Sequence, residues 1–314
     1  MNRYLARRIL ALIPLMLGVW TLVFFLLNIL PGDTAIAILG VEASPELVQQ
    51  VRTNLGLDLP LHTRYIQALF RTLHGDLGIS LVTGRPIGPE LLVRLPATLE
   101  IALAASFIFV LIGFPLGMIA ATHRNTVTDF ISRMLAVAGL SIPNFWLALI
   151  LMLTFSLRLR LLPSEGYVPL TEDLLQNLRH LILPATALGV AMAAVVARMT
   201  RSSLLDVLGQ DFVRTARAKG LPPGKVLSRH CLRNALLPVI TVAGIEVGTL
   251  FGGTVIVEQI FAWPGIGRMV LDAIFKRDYP SVGATVLVIV ASVVIINMMV
   301  DFAYALLDPR IRYD

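Results

Sequence analysis

The sequence has little charge. Asp, Glu, Lys and Arg make up 15% of its 314 residues, whereas hydrophobic residues make up 56%. Because a soluble globular domain carries about 25% charged residues, this shortage argues against a soluble protein. Several uncharged runs reach the roughly 20 residues that a helix needs to cross a bilayer. The composition therefore predicts an integral membrane protein.

Motifs for catalysis and metal binding are also missing from the sequence. The single cysteine, Cys231, cannot form an internal disulfide, and the histidines have no metal-ligand spacing. The run Gly220–Val226 resembles a phosphate-binding loop. Its spacing is wrong, however, no Ser or Thr follows Lys225, and two prolines remove backbone donors. We therefore predict no catalytic residue, no metal site and no bound cofactor in this chain.

Six apolar runs are long enough to span a membrane, which predicts an all-α integral membrane protein with six transmembrane helices. We place the spans at residues 9–30, 101–121, 134–157, 181–197, 236–257 and 282–307. The first run is longer than the apolar core of a signal peptide and is followed by Pro31-Gly32-Asp33, which is not a cleavage site. We interpret it as a retained anchor.

The distribution of charge predicts the orientation. Residues 1–8, 122–133, 198–235 and 308–314 contain 15 Lys and Arg against 5 Asp and Glu, whereas the segments on the other side contain 11 of each. Because Lys and Arg concentrate on the cytoplasmic side of a membrane, both termini and residues 198–235 are predicted to be cytoplasmic. The net charge of +6 then reflects orientation and does not indicate nucleic-acid binding.

The longest outer segment, residues 31–99, contains two helical patterns. Ser44 suits the N-cap and Pro45 the first position of one helix, which Gly56 can close. The second pattern runs over residues 61–73. These short helices either form a passive cap at the outer surface or contact substrate.

Glycines and acidic residues inside the spans are candidate packing or pathway positions. Gly113 and Gly117 form one GxxxG pattern in the second span. A longer glycine ridge in the fifth span consists of Gly244, Gly248 and Gly252. This ridge predicts close packing, within the chain or against a partner subunit.

Four acidic residues lie in or at the ends of the spans, where carboxylates are costly and often functional. Glu246 points away from the glycine ridge and either faces the pathway or bonds a neighbouring helix. Asp301 either pairs with a C-terminal arginine or takes part in transport. Glu100 and Glu258 lie near the outer edge, and we expect them to be solvated.

The most polar interruption is the basic loop, which we define as Asp211–Pro238. Phe212, Val213 and Ala216 fall on one helical face, and Gly220 with the two prolines after it ends the helix after about two turns. An apolar stripe on such a helix suits a groove on a cytoplasmic partner. The alternative is a solvated amphipathic loop.

Three features of the basic loop match a known motif. Ala216, Gly220 and Leu237-Pro238 match the second alanine, the glycine and the closing pair of the Glu-Ala-Ala loop, so this chain resembles the permease subunits of binding-protein-dependent ABC importers. Arg214 and Thr215 replace the Glu and the first Ala, and the spacer after Gly220 is longer than in the general pattern. The run Arg-Thr-Ala-Arg-Ala-Lys-Gly-Leu is typical of the branch that imports dipeptides, oligopeptides, glutathione or nickel.

Further motifs along nearly the whole chain are similar to the first permease of that branch. They include Pro31-Gly32-Asp33, residues 55–58, 75–78, 96–100 and 198–203, Trp263-Pro264-Gly265, residues 277–280 and 308–310.

The resemblance implies a type I-like importer permease in the bacterial cytoplasmic (inner) membrane, without an ATPase site of its own. It implies a second homologous permease subunit, two ABC ATPase subunits that bind the ATP, and an extracytoplasmic substrate-binding protein. It also implies an ATPase-coupling helix over the residues Asp211, Phe212, Val213, Arg214, Thr215, Ala216, Arg217, Ala218, Lys219, Gly220 and Leu221.

We therefore expect a permease subunit that forms half of the translocation pathway for di- or oligopeptides. Nickel, as the ion or a chelate, and glutathione are alternative substrates of the same machinery. From the residues alone, a secondary transporter driven by protons or sodium is the alternative of another class. An intramembrane enzyme would need a catalytic set that the sequence lacks.

Overall fold

The computed structural model describes residues 2–29, 36, 43–54 and 56–307. Among these residues the regular structure is helical, apart from an isolated β-bridge between Ile79 and Pro86. In chain order the helices are α1 (Asn2–Ile29), α2 (Pro45–Asn54), α3 (Leu61–Leu73), α4 (Ile87–Thr122), α5 (Val127–Ser141), α6 (Asn144–Leu151), a π-helix (Met152–Arg158), α7 (Leu174–Leu208), α8 (Asp211–Ala218), α9 (Pro223–Lys225), a second π-helix (Val226–Cys231), α10 (Leu232–Ile260), α11 (Ile266–Phe275) and α12 (Tyr279–Leu307).

The described chain has 5 helices long and apolar enough to cross a membrane, and a bent pair of helices gives a sixth candidate. The bent pair is the predicted third span, residues 134–157. It is divided at Pro143, and its two halves meet at an angle of 100°. Pro143 has no backbone N–H, and Ile142 before it is extended at φ −90° and ψ 119°. The extended backbone of Ile142 and the missing N–H of Pro143 together interrupt the helix at this point.

Two helices are much longer than the spans predicted for them. α7 has 35 residues, although only residues 181–197 were predicted to span. Asp173 caps its first turn, since one carboxylate oxygen accepts the backbone N–H groups of Leu175 and Gln176 at 2.9 and 3.0 Å. α4 begins at Ile87, well before the predicted span. Much of the predicted cytoplasmic segment 198–235 is consequently helical.

The described chain divides into two compact units, Met1–Pro96 with Arg268–Ser292 and Ala97–Gly267 with Val293–Asp314. In the first, α2 begins at the predicted residue, Pro45, and Gly56 follows it at φ +66°. α3 packs on α1 through aromatic rings, because Tyr65 lies 4.9 Å from the ring of Trp20. The hydroxyls of Tyr65 and Thr21 are 2.8 Å apart.

In the second unit, α4 and α7 approach closely along small residues. A β-carbon on Gly113 would lie 2.5 Å from the carbonyl oxygen of Ala193, and one on Gly117 would lie 2.6 Å from Cβ of Thr200. The two helices are therefore closely packed along this GxxxG pattern. α7 also contacts α10, since Ser203 donates a hydrogen bond to the carbonyl of Ala235 at 2.8 Å.

Candidate functional site

α8 is the short helix at the start of the basic loop. It covers Asp211–Ala218, which is about two turns. Gly220 adopts the left-handed conformation at φ +77°, and its N–H donates to the carbonyl of Arg217 at 2.9 Å. Glycine ends helices in this way because it has no β-carbon to clash. The termination predicted from Gly220 and the following prolines is correct, whereas the coupling helix implied over Asp211–Leu221 is longer than the observed helix, which ends at Ala218.

The apolar side of α8 packs inside the chain. Val213 is 0% exposed and Ala216 is 6% exposed, whereas Phe212 is 39% exposed. The two buried side chains belong to a cluster with Ala121, Leu204, Val207, Val226, Cys231 and Ala235. The prediction that all three apolar residues form one stripe for a partner is therefore wrong. Two of them are covered by an apolar surface of this chain itself.

The cluster attaches α8 to the ends of several long helices. Ala121 lies at the end of α4, Leu204 and Val207 lie in the last turns of α7, and Ala235 lies at the start of α10. Residues 223–260 form one helical run of 38 residues, so the second half of the basic loop continues directly into the fifth span. The thiol of Cys231 is fully buried in this cluster.

The remaining side chains of α8 are exposed and, with Lys219 directly after the helix, form what we call the α8 face. It consists of Asp211, Phe212, Arg214, Thr215, Arg217, Ala218 and Lys219. Arg214 and Asp211 lie 3.3 Å apart with their side chains 76% and 93% exposed, so the pair contributes little stability. The α8 face is basic and carries one large apolar side chain, Phe212. Such a surface suits an acidic groove with an apolar pocket.

The glycine ridge of α10 contacts α12 at two of its three positions. A β-carbon on Gly244 would overlap Val300, and one on Gly248 would lie 2.9 Å from Oδ1 of Asn297. Apart from its chain neighbours and the adjacent backbone of α10, a β-carbon on Gly252 would meet no atom of the described chain within 4 Å.

The two acidic candidates near the ridge differ in what the structure describes. Glu246 is half-buried, and its carbonyl accepts the hydroxyl of Thr249 at 2.8 Å. Asp301 lies in α12, but its side chain is outside the described residues.

Glu258 is fully buried, so the prediction that it is solvated is wrong. Its carboxylate accepts the hydroxyl of Thr98 at 2.8 Å, and that hydroxyl in turn accepts the N–H of Ile266 at 2.8 Å. The indole of Trp263 donates to the carbonyl of Ala97 at 2.8 Å. The segment after α10 thus folds back onto α4 and covers the carboxylate. Thr98 and Glu258 are 160 positions apart in the sequence, so no local sequence pattern predicts this contact.

Glu100 is hydrogen-bonded as well, although we expected it to be merely solvated. Its carboxylate accepts the phenol of Tyr167 at 3.1 Å and the side-chain amide of Asn177. Burial, together with the negative charge of Glu100, raises the pKa of Tyr167 to about 12. The shift means that the phenol keeps its proton, and can donate this hydrogen bond, to a higher pH than an exposed tyrosine would.

Family models match both parts of the chain. The model described as "Binding-protein-dependent transport system inner membrane component" matches residues 113–313. The chain belongs to this family. The model described as "Binding-prot-dependent transport system membrane comp, N-term" matches residues 1–102.

Curated relatives of this inner membrane component cover the whole chain. A protein of Brucella abortus (strain 2308), named as a peptide transport system permease protein, is 44% identical over 314 residues, with 100% of both chains covered. The glutathione transport system permease protein GsiC of Salmonella choleraesuis (strain SC-B67) is 42% identical over 313 residues, again with 100% of both covered. The chain is thus a multi-pass permease subunit of an ABC importer in the inner membrane, and ATP hydrolysis belongs to a separate subunit.

A solved structure shows the same fold. The inward-facing MetNI methionine ABC transporter includes a chain that matches with a TM-score of 0.58 at 19% identity, over 69% of this chain and 96% of that chain. The predicted type I importer permease fold is confirmed.

Proposed function

We propose that this permease subunit forms half of the translocation pathway of a peptide importer, and that residues Asp211–Leu221 couple it to the ATPase. The observation that carries the proposal is the two-sided character of α8. Val213 and Ala216 are buried against this chain, while the α8 face is exposed. A displacement applied to the α8 face would pass into α4, α7 and α10, because closely packed interiors transmit strain.

The chemistry of the α8 face supports a specific kind of partner surface. Arg214, Arg217 and Lys219 give it positive charge, and Phe212 can enter an apolar pocket as an anchor. We infer that the ATPase presents a groove with acidic residues around an apolar centre. Repulsion between like charges would exclude a basic groove.

The double substitution Phe212→Ala with Arg214→Glu tests this contact. Loss of an aromatic anchor costs about 2 kcal/mol or more at an interface, so we expect ATP-driven uptake by the assembled transporter to fall at least about tenfold. Both side chains are exposed, so the thermal stability of the chain should not change. Uptake into proteoliposomes, ATPase activity and thermal unfolding measure these effects.

Arg229→Glu is the matched control for that experiment. Arg229 is an exposed basic residue of the same basic loop but lies outside α8. We expect it to retain uptake. Normal uptake by the double variant would remove the α8 face from the coupling contact.

We propose an assembly with a second homologous permease subunit, two ATPase subunits and an extracytoplasmic substrate-binding protein. Relatives named for peptide transport and for glutathione transport support a peptide substrate, since glutathione is itself a small peptide. Within the described residues no group of three or more His, Cys, Asp or Glu side chains could hold a metal ion. Glutathione and nickel, the latter as the ion or as a chelate that brings its own ligands, are the alternative substrates.

Uptake assays distinguish these functions. In proteoliposomes that hold the assembled transporter, we expect di- or oligopeptide uptake to require both the binding protein and ATP on the side of the ATPases. Glutathione and a nickel chelate, assayed in parallel, test the alternative substrates. Uptake driven by a proton or sodium gradient without ATP would contradict the importer mechanism for this chain.

A further inference from the structure

A cavity of about 300 Å³ lies between α4, α5 and α7, and the coupling mechanism does not use it. Its apolar wall includes Leu116, Val137 and Leu140, and its polar wall includes Arg133, Arg198 and Arg201. One wall is therefore suited to hydrocarbon and the other to an anion.

The position of these residues along the chain locates the cavity at a membrane surface. Arg133 and Arg198 directly adjoin the predicted spans 134–157 and 181–197 on their cytoplasmic sides. Leu116 and Leu140 lie inside predicted spans. The arginines are therefore expected at the depth of the lipid headgroups of the cytoplasmic leaflet, and the leucines at the depth of the acyl chains.

The charges around the cavity do not cancel. Asp129 is fully buried and binds Arg201 through two hydrogen bonds of 2.8 and 3.0 Å, and it also lies 3.3 Å from Arg133. Two of the three lining guanidinium groups thus share one carboxylate, and the lining contains no acidic residue. The side chain of Arg133 is 50% exposed, and Arg198 is exposed. These two remain accessible to a further anion, and the planar guanidinium group suits phosphate.

We propose that this cavity binds an anionic phospholipid of the cytoplasmic leaflet. The phosphate contacts Arg133 and Arg198, and an acyl chain lies along Leu116, Val137 and Leu140. A soluble anion would leave the apolar wall uncovered, and a zwitterionic lipid would leave the net positive charge unmatched. Basic pockets between transmembrane helices on the cytoplasmic side bind anionic headgroups for the same reason. The bound lipid would join α5 to α7, the helix that leads into α8.

Native mass spectrometry of the full chain, titrated with phosphatidylglycerol or phosphatidylcholine, tests the proposal. We expect selective retention of phosphatidylglycerol. Arg133→Gln with Arg198→Gln should weaken that binding about tenfold or more. Each arginine near an anionic lipid surface contributes substantially to the electrostatic attraction between the protein and the lipid. Arg124→Gln with Arg229→Gln is the matched control, since both residues are exposed cytoplasmic arginines away from the cavity lining. The control pair should bind as the unmodified chain does.

Two further arms identify the ligand. Ala136→Trp places an indole in the cavity lining and should also reduce phosphatidylglycerol binding, with every arginine intact. Inorganic phosphate and glycerol phosphate, added in large excess, should not displace the lipid. Displacement by either would assign the site to a soluble phosphate and overturn the lipid proposal. Equal binding of phosphatidylcholine, or undiminished binding by both the arginine pair and Ala136→Trp, would overturn it as well.

Discussion

Replacing Ala216 by Glu should abolish ATP-driven uptake by detaching α8 from its own chain. Ala216 is 6% exposed and packs in an apolar cluster. A carboxylate forced into that cluster without a partner would cost several kcal/mol. A helix of about two turns cannot offset such a cost with its own hydrogen bonds, because short helices are marginal without tertiary packing. The cluster, and with it the connection to α4, α7 and α10, should open.

Limited trypsin digestion measures this detachment directly. Arg214 and Arg217 are cleavage sites that the folded helix protects, and in the Ala216→Glu variant they should be cut much faster. Uptake should be lost in parallel. Ala218→Glu is the matched control for protease resistance, because the same change is made two residues away at an exposed position. Uptake is not compared in this control, since Ala218 belongs to the α8 face. Unchanged protease resistance in both variants, together with normal uptake by Ala216→Glu, would show that the cluster does not hold α8.

The bounds of α8 could be predicted because their causes are local. Gly220 supplies the left-handed residue, and the prolines that follow cannot continue a helix. The orientation of the helix could not be predicted, since the burial of Val213 depends on Leu204 and Val207 of α7. Helical periodicity shows which residues share a face but not which surface covers that face.

The division of the third span had a local cause that the sequence does contain. Pro143 lies within an otherwise apolar run, and proline disfavours the helical conformation of the residue before it. The hydropathy of residues 134–157 does not reveal the bend. An apolar run shows that a segment is long enough to span the membrane, but not whether its helix axis changes direction. Pro143 is a candidate helix breaker, but a proline alone does not predict the bend, since α7 and α10 continue through Pro184 and Pro238.

The burial of Glu258 had no such local signal. Its partner Thr98 lies on α4, and the sequence offers no pattern that pairs them. A carboxylate at the outer end of a span is ordinarily expected to reach water. Only the fold shows that the Trp263–Gly265 segment covers it. The two glycines that follow Trp263 leave room for this carboxylate. A β-carbon on Gly267, for example, would lie 2.9 Å from Oε2 of Glu258.

Gly265→Ala should consequently be among the most destabilising single-methyl additions in the chain. A β-carbon at Gly265 would overlap the carboxylate of Glu258, with three of its atoms closer than van der Waals contact. Glu258 is fully buried and hydrogen-bonded to Thr98, so the carboxylate has little room to move away. Overpacking of this kind costs about 1–3 kcal/mol, and displacement of the carboxylate would also break its hydrogen bond. We expect the thermal midpoint in detergent to fall by about 2–10 °C.

Gly252→Ala separates this contact from the general effect of replacing glycine. It adds the same methyl group where, apart from its chain neighbours and the adjacent backbone of its own helix, no atom of the described chain lies within 4 Å, and alanine favours the helical conformation of α10. Its thermal midpoint should equal or slightly exceed that of the unmodified chain. If Gly265→Ala were as stable as Gly252→Ala, the carboxylate of Glu258 would have to move freely. The segment after α10 would then not be held on α4 by a packed, hydrogen-bonded contact.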